Sequence, residues 1–264
     1  MNRIDSAFAT CKKEGRKALV TYSTAGDPNI ALSAKLIDTI AENGADIIEI
    51  GVPFSEPMAD GPTIQLAMER SLNAGTHLQL ILDMIVEFRK KHDTPIVLFS
   101  YYNVVLNYGV EKLAKKSAEI GIDGWLIVDV PYEEYEEVKP ALTKNGIQLI
   151  TLLAPTTPKE RAKEILSEAE GFVYYISVIG VTGARKELPA DLAENLGFIT
   201  ENSPVPVVAG FGVASGEMAK TIATHADGVV VGSALINKMA KAKTNAQGIR
   251  ESAAFVKELV TALK

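Results

Sequence analysis

The chain alternates between short, almost continuously apolar runs and longer segments in which apolar residues return every three or four positions. Eight runs predict strands: Ala18–Ser23, Asp46–Gly51, Pro95–Tyr101, Gly124–Val130, Ile147–Leu152, Phe172–Ser177, Val205–Gly210 and Gly228–Gly232. They are rich in Val and Ile with little polar alternation, the pattern of parallel strands covered on both faces. Between them, Leu32, Leu36, Ile37 and Ile40 form one helical stripe, and Leu78, Ile81, Leu82 and Ile85 another; Val138 and Leu142 mark a third. Asp27-Pro28 reads as an N-cap followed by a first-turn proline, while Gly44, Gly121 and Gly146 fall where helices should stop.

Eight strand–helix units predict an α/β chain folded as a (β/α)8 TIM barrel, a single domain over residues 1–264. An open, doubly wound sheet of eight strands satisfies the same pattern. The opening MNRIDSAFATCKKEG reads as an extra amphipathic N-terminal helix and lacks a signal-peptide core. In a barrel, chemistry sits at the C-terminal strand ends, which here carry Tyr22, Glu49, Tyr101, Asp129, Tyr174 or Tyr175, and Ser177.

Composition narrows the class. At 264 residues and 47% hydrophobic the chain supports a large core, and no linker-like stretch divides it. A formal charge of −6 argues against general binding to nucleic acid or acidic membranes. Cys11 is the only cysteine, so no intramolecular disulfide is possible, and a cytoplasmic home is expected. No run approaches the roughly 20 apolar residues of a membrane span.

The richest segment is ADIIEIGVPFSEPMADGP, residues 45–62. Glu49 stands between Ile48 and Ile50 inside a buried strand, where a carboxylate is either one half of a structural ion pair or a catalytic group. Pro53 and Pro57 then break the chain into a loop with Ser55, Glu56 and Asp60. Glu49 and Asp60 can meet there for acid–base work. The plainer reading of Asp60 is that it helps to start a helix at Pro62.

Three glycine-rich turns follow the last three predicted strands: Gly180-Val181-Thr182-Gly183, Gly210-Phe211-Gly212 and Gly232-Ser233. Glycine lets backbone N–H groups approach an anion, helix N-termini add their dipoles, and barrels often hold phosphate after strands seven and eight. No predicted strand contains a lysine, which disfavours a Schiff base. His77, His92 and His225 have no metal-ligand spacing, so no metal site is expected. Carboxylates acting on an organic phosphate remain, with Asp129 either a third polar group or a loop support. Tyr22 and Phe99 are the better aromatic candidates for a pocket wall, with Phe211 also near a strand end; Trp125 reads as core.

Several segments together resemble the alpha subunit of tryptophan synthase over essentially the whole chain. They are Ala25-Gly26-Asp27-Pro28, the run from Glu49 to Gln65, Tyr101-Tyr102-Asn103, Asp129-Val130-Pro131, Tyr174 through Ser177 to Arg185, Gly210-Phe211-Gly212 and Gly232-Ser233-Ala234. The Glu49–Gln65 run is the most specific; the glycine turns occur in many phosphate-binding barrels. The resemblance implies a carbon–carbon lyase that splits indole-3-glycerol phosphate into indole and glyceraldehyde 3-phosphate. It implies no cofactor in this chain, and a beta subunit carrying pyridoxal phosphate that receives indole within an alpha2-beta2 heterotetramer. By motif, Glu49 would move a proton between the glycerol hydroxyl and the indole carbon, and Asp60 would serve the indole nitrogen. Tyr174 would be the site tyrosine with Tyr175 facing outward, and Phe211 would join the indole pocket. Thr182 would belong to a loop, Gly180–Pro189, that closes over substrate, and Gly183, Gly212, Gly232 and Ser233 would hold the phosphate.

The chain departs from the family pattern at a few places. Glu56 stands where Asp is usual in the partner-facing loop, Thr21-Tyr22 replaces Pro-Phe, and Phe99 replaces Leu or Met. Two other expectations stay open: a lyase that releases free indole without a partner, and a largely regulatory subunit that binds the phosphate ligand.

Overall fold

The computed structural model describes residues 1–176, 192–210 and 212–264. Eight parallel strands close into a barrel in the order β1 to β8, each paired with its neighbours and β8 returning to β1. They are β1 (Ala18–Thr24), β2 (Ile47–Gly51), β3 (Ile96–Ser100) and β4 (Gly124–Ile127), then β5 (Gln148–Leu153), β6 (Glu170–Ile176), β7 (Val207–Gly210) and β8 (Gly228–Val231). The open-sheet alternative is thereby excluded.

The helices are α1 (Arg3–Lys13), α2 (Ile30–Glu42), α3 (Pro62–Asn73), α4 (Leu78–Arg89), α5 (Tyr102–Tyr108) and α6 (Val110–Ile120). After a 3-10 turn at Tyr132–Glu137 come α7 (Lys139–Lys144), α8 (Lys159–Leu166), α9 (Leu192–Asn202), α10 (Gly216–Ala223), α11 (Ser233–Lys241) and α12 (Asn245–Ala262). Among the described residues no helix is long and apolar enough to cross a membrane.

Two apolar layers explain the nearly continuous strand hydrophobicity. Outward residues pack under the helices: Leu36, Ile37 and Ile40 of α2 and Ile81, Leu82 and Ile85 of α4 share one cluster with Ile48, Ile50 and Trp125. Inward residues such as Val20, Ile47, Val97 and Phe172 fill the barrel. The predicted N-terminal helix closes its lower end. Ile4, Phe8 and Cys11 lie at helical spacing on one face of α1 and join the inner cluster, with Phe8 5.8 Å from Phe172 between ring centroids. Asn2 and Arg3 anchor that helix to the carbonyl and carboxylate of Asp123. Cys11 is buried packing, its thiol pushed up to about 12 chiefly by that burial.

Two local expectations are corrected. Asp27 does not cap α2; Asn29 does, accepting from the Leu32 N–H at 3.0 Å. The Asp27 carboxylate instead receives both Nε and Nη2 of Arg70, at 2.7 and 2.8 Å, tying the β1–α2 loop to α3. β4 also ends three residues before the apolar run does. Asp129 turns aside to accept the Tyr102 N–H at 2.7 Å, which supports the start of α5.

Candidate active site

Glu49 points into the barrel from β2, in register with Tyr22 of β1 and Val97 of β3. It is 0% exposed, and neither carboxyl oxygen has a hydrogen-bond partner among the described residues. The structural ion-pair reading therefore fails: no salt bridge among the described residues includes Glu49. An unpartnered carboxyl in an apolar barrel disfavours its charged form, and burial pushes Glu49 up to about 8.

Asp60 arrives from the β2–α3 loop and is 4% exposed. It does not start the helix, whose N-cap is Gly61 with no side-chain cap bond. Its Oδ2 accepts a 2.6 Å hydrogen bond from the Tyr101 hydroxyl at the end of β3. Burial raises Asp60 and that hydrogen bond pulls the other way, leaving it at about 6. Glu49 thus holds its proton to higher pH than Asp60, which suits Glu49 to act first as the acid and Asp60 as the base.

Above them lies a cavity of about 370 Å³. Tyr22, Asp60, Phe99, Tyr174, Gly212, Gly232 and Ser233 all line it. Tyr22 and Phe99 meet edge to face, their centroids 5.1 Å apart. Tyr174 faces the cavity, whereas Tyr175 is buried beneath the helices. Glu49 does not reach the cavity surface. It lies under cover, close enough for its charge to raise both Tyr22 and Tyr174, although burial is the larger cause in each.

At one side of the mouth Gly212 takes φ +56°, a conformation that suits glycine, and Gly232 precedes α11. No side chain caps that helix. Gly232 and Ser233 therefore present a helix N-terminus to the cavity wall. Thr182, Gly183, the loop Gly180–Pro189, Ser177 and Phe211 lie outside the described residues.

Sequence reasoning left three contributors unassigned. Val128, just past the end of β4, and Leu152 of β5 line the cavity, legible only once the inward register is known. Tyr101 was visible as a strand-end tyrosine, but nothing local announced its contact with Asp60, 41 residues away.

Fold and site together define a barrel enzyme with two buried carboxyls that hold their protons to different pH, beneath an apolar cavity with a glycine-rich edge. Residues 8–264 match the family model described as tryptophan synthase alpha chain. The tryptophan synthase alpha chain of Geobacter sulfurreducens is 49% identical over 263 residues, covering 100% of this chain and 99% of that one. That of a Thermoanaerobacter species is 43% identical, covering 98% of each. Among solved structures, the alpha chain from Legionella pneumophila has 37% identity and a TM-score of 0.91, covering 100% of this chain and 97% of that one. A Mycobacterium tuberculosis tryptophan synthase structure has 34% identity and a TM-score of 0.92, covering 99% and 98%. The chain belongs to the tryptophan synthase alpha chain family. It is accordingly a lyase of tryptophan biosynthesis that forms indole from indole-3-glycerol phosphate; in this family the alpha chain carries no cofactor of its own.

Proposed function

We propose that Glu49 and Asp60 carry the lyase reaction as a proton-shuttling pair within one barrel domain over residues 1–264. The observation that supports this most directly is the contrast in their surroundings. Both are buried, but Glu49 has no hydrogen-bond partner among the described residues while Asp60 accepts one from Tyr101, so burial pushes Glu49 up to about 8 and Asp60 only to about 6. Protonated Glu49 gives its proton to C3 of the indole while ionised Asp60 takes the proton from the ring nitrogen, producing the indolenine. Glu49, now a carboxylate, removes the proton of the glycerol hydroxyl next to the ring. The carbon–carbon bond breaks, its electrons restore the indole ring, and Asp60 returns its proton to the nitrogen. The hydroxyl carbon leaves as the aldehyde of glyceraldehyde 3-phosphate. Both acids end as they began, and no water is consumed.

Tyr22, Phe99 and Tyr174 form the walls for the planar ring, and Phe211 belongs with them. The phosphate sits by Gly212, Gly232 and Ser233, where the α11 dipole and free N–H groups favour an anion, with Gly183 on the same side and Thr182 serving the loop that closes. Glu49 has no hydrogen bond to lose, so it can re-aim at the ring as substrate enters.

The chain works with a beta subunit that binds pyridoxal phosphate and takes the indole, in an alpha2-beta2 heterotetramer in the cytoplasm. A groove beside the β2–α3 loop supports this partnership. Phe54, Glu56, Met58, Leu66 and Leu72 line it, and Met58 is 84% exposed. Such apolar exposure on one rim marks a docking surface. Lyase turnover measured alone and after adding beta subunit tests the arrangement: a substantial increase is expected. An unchanged rate would favour a self-sufficient lyase releasing free indole.

A further inference from the structure

Tyr101 is 1% exposed and sits where β3 passes into α5. Its hydroxyl oxygen accepts the Ala59 N–H at 3.1 Å and donates its single proton to Asp60 Oδ2 at 2.6 Å. A phenol has only one proton to give, so the bond from Ala59 and the bond to Asp60 together define its direction. The ring stacks on Phe54, centroids 5.0 Å apart and planes 28° from parallel. Phe54 and Ala59 belong to the same loop that carries Glu56 and Met58 on its outer side. One side chain just past β3 therefore holds that loop at Phe54, Ala59 and Asp60.

We infer that Tyr101 is a positioning residue of this lyase, fixing the direction and charge state of the Asp60 carboxylate and tying both to the Phe54–Met58 stretch of the loop. The inference rests on the acid–base role assigned to Asp60. Asp60 cannot accept the ring-nitrogen proton if its carboxylate turns away or takes up a proton beforehand. The Tyr101 hydroxyl opposes both, because a hydrogen bond to the ionised form favours it. A movement of Phe54 or Met58 on the partner side reaches Asp60 through the same phenol, without passing through Glu49.

The titratable groups that feel the charge of Asp60 are Tyr22 on β1, Tyr174 on β6 and Tyr101 itself; Glu49 on β2 acts on the same Tyr22 and Tyr174, and Asp129 beyond β4 acts on Tyr101. Burial is the main cause of the raised titration of Asp60, and the Tyr101 bond is the cause opposing it. Removing only the hydroxyl isolates that bond while leaving the ring against Phe54.

The test is the pH dependence of kcat/KM for indole-3-glycerol phosphate cleavage by Tyr101→Phe, by the chain with 3-fluorotyrosine placed at residue 101 alone, and by Asp60→Asn. The phenylalanine variant should move the acid limb up by about half to one pH unit, with activity partly recovered on its plateau and KM little changed. The fluorinated phenol, a stronger donor, should move the limb down. A uniform loss across pH with the limb unmoved in both would overturn the inference and leave the Asp60 assignment standing, provided Asp60→Asn is inactive. Near-normal turnover of Asp60→Asn would remove the underlying assignment, and the inference with it.

Discussion

Tyr22 of β1 lies across the Cα of Gly51 on β2, with its phenolic oxygen in the space that a Cβ at residue 51 would need. Tyr174 of β6 stands in the same relation to Gly210 of β7. In each case a glycine on the neighbouring strand lets an aromatic ring lie against the inner wall instead of filling the cavity. Gly51→Ala should therefore push Tyr22 inward, raise KM, and cost about 1–3 kcal/mol of stability through overpacking. Adding Tyr22→Val to that variant should restore the denaturant midpoint but not the affinity. Additive losses in the double variant would show that the two residues do not compete for space.

The titration of Glu49 also predicts a pH-dependent stability. Its folded value of about 8 lies above the ordinary 4.5, so the folded chain keeps a proton that the unfolded chain releases. The stabilising preference is complete below the unfolded value and is lost as pH rises towards the folded one. Asp60, raised to about 6, contributes in the same sense at lower pH. Between pH 6 and 8 the stability of the unaltered chain should fall relative to Glu49→Gln, whose amide does not titrate. The gap between them should open by roughly a few kcal/mol over that interval. Urea unfolding of both proteins at several pH values measures it, and parallel stability curves would contradict the buried, unpartnered state of Glu49.

A third expectation concerns the glycine edge of the cavity. Inorganic phosphate should compete with substrate. Replacing Gly232 with a bulky residue should weaken substrate binding more than it slows cleavage of bound substrate, because a Cβ there would come within 3.2 Å of the Tyr22 Cβ and crowd the N-terminus of α11. Competition kinetics and single-turnover rates separate the two effects. Unchanged competition by phosphate in that variant would move the anion site elsewhere.

Much of this architecture was legible in residue order, for definite reasons. Parallel strands covered on both faces must be apolar on both, so all eight stood out; closure into a barrel needed the β1–β8 pairing, which no local pattern contains. The end of β4 was misjudged because Val128 and Val130 continue the apolar run, although Asp129 has already turned to support α5. Asp27 was misread as a cap because its partner Arg70 is 43 residues away. Glu49 was conspicuous as a charge among isoleucines, yet only the folded chain separates an ion pair from an unpartnered acid. Tyr101 shows the same limit: its type and strand-end position were plain, while its hold on Asp60 depends on where a distant loop returns.

The central claim, that Glu49 is the acid and base of the cleavage, is tested most directly by indole formation from indole-3-glycerol phosphate with Glu49→Gln, alongside binding of the same substrate. The amide fits the same buried space but cannot give a proton to C3 or take one from the hydroxyl. Turnover should fall by at least ~10²–10⁴-fold while substrate affinity stays near that of the unaltered chain. Near-normal indole formation by this variant would contradict the account.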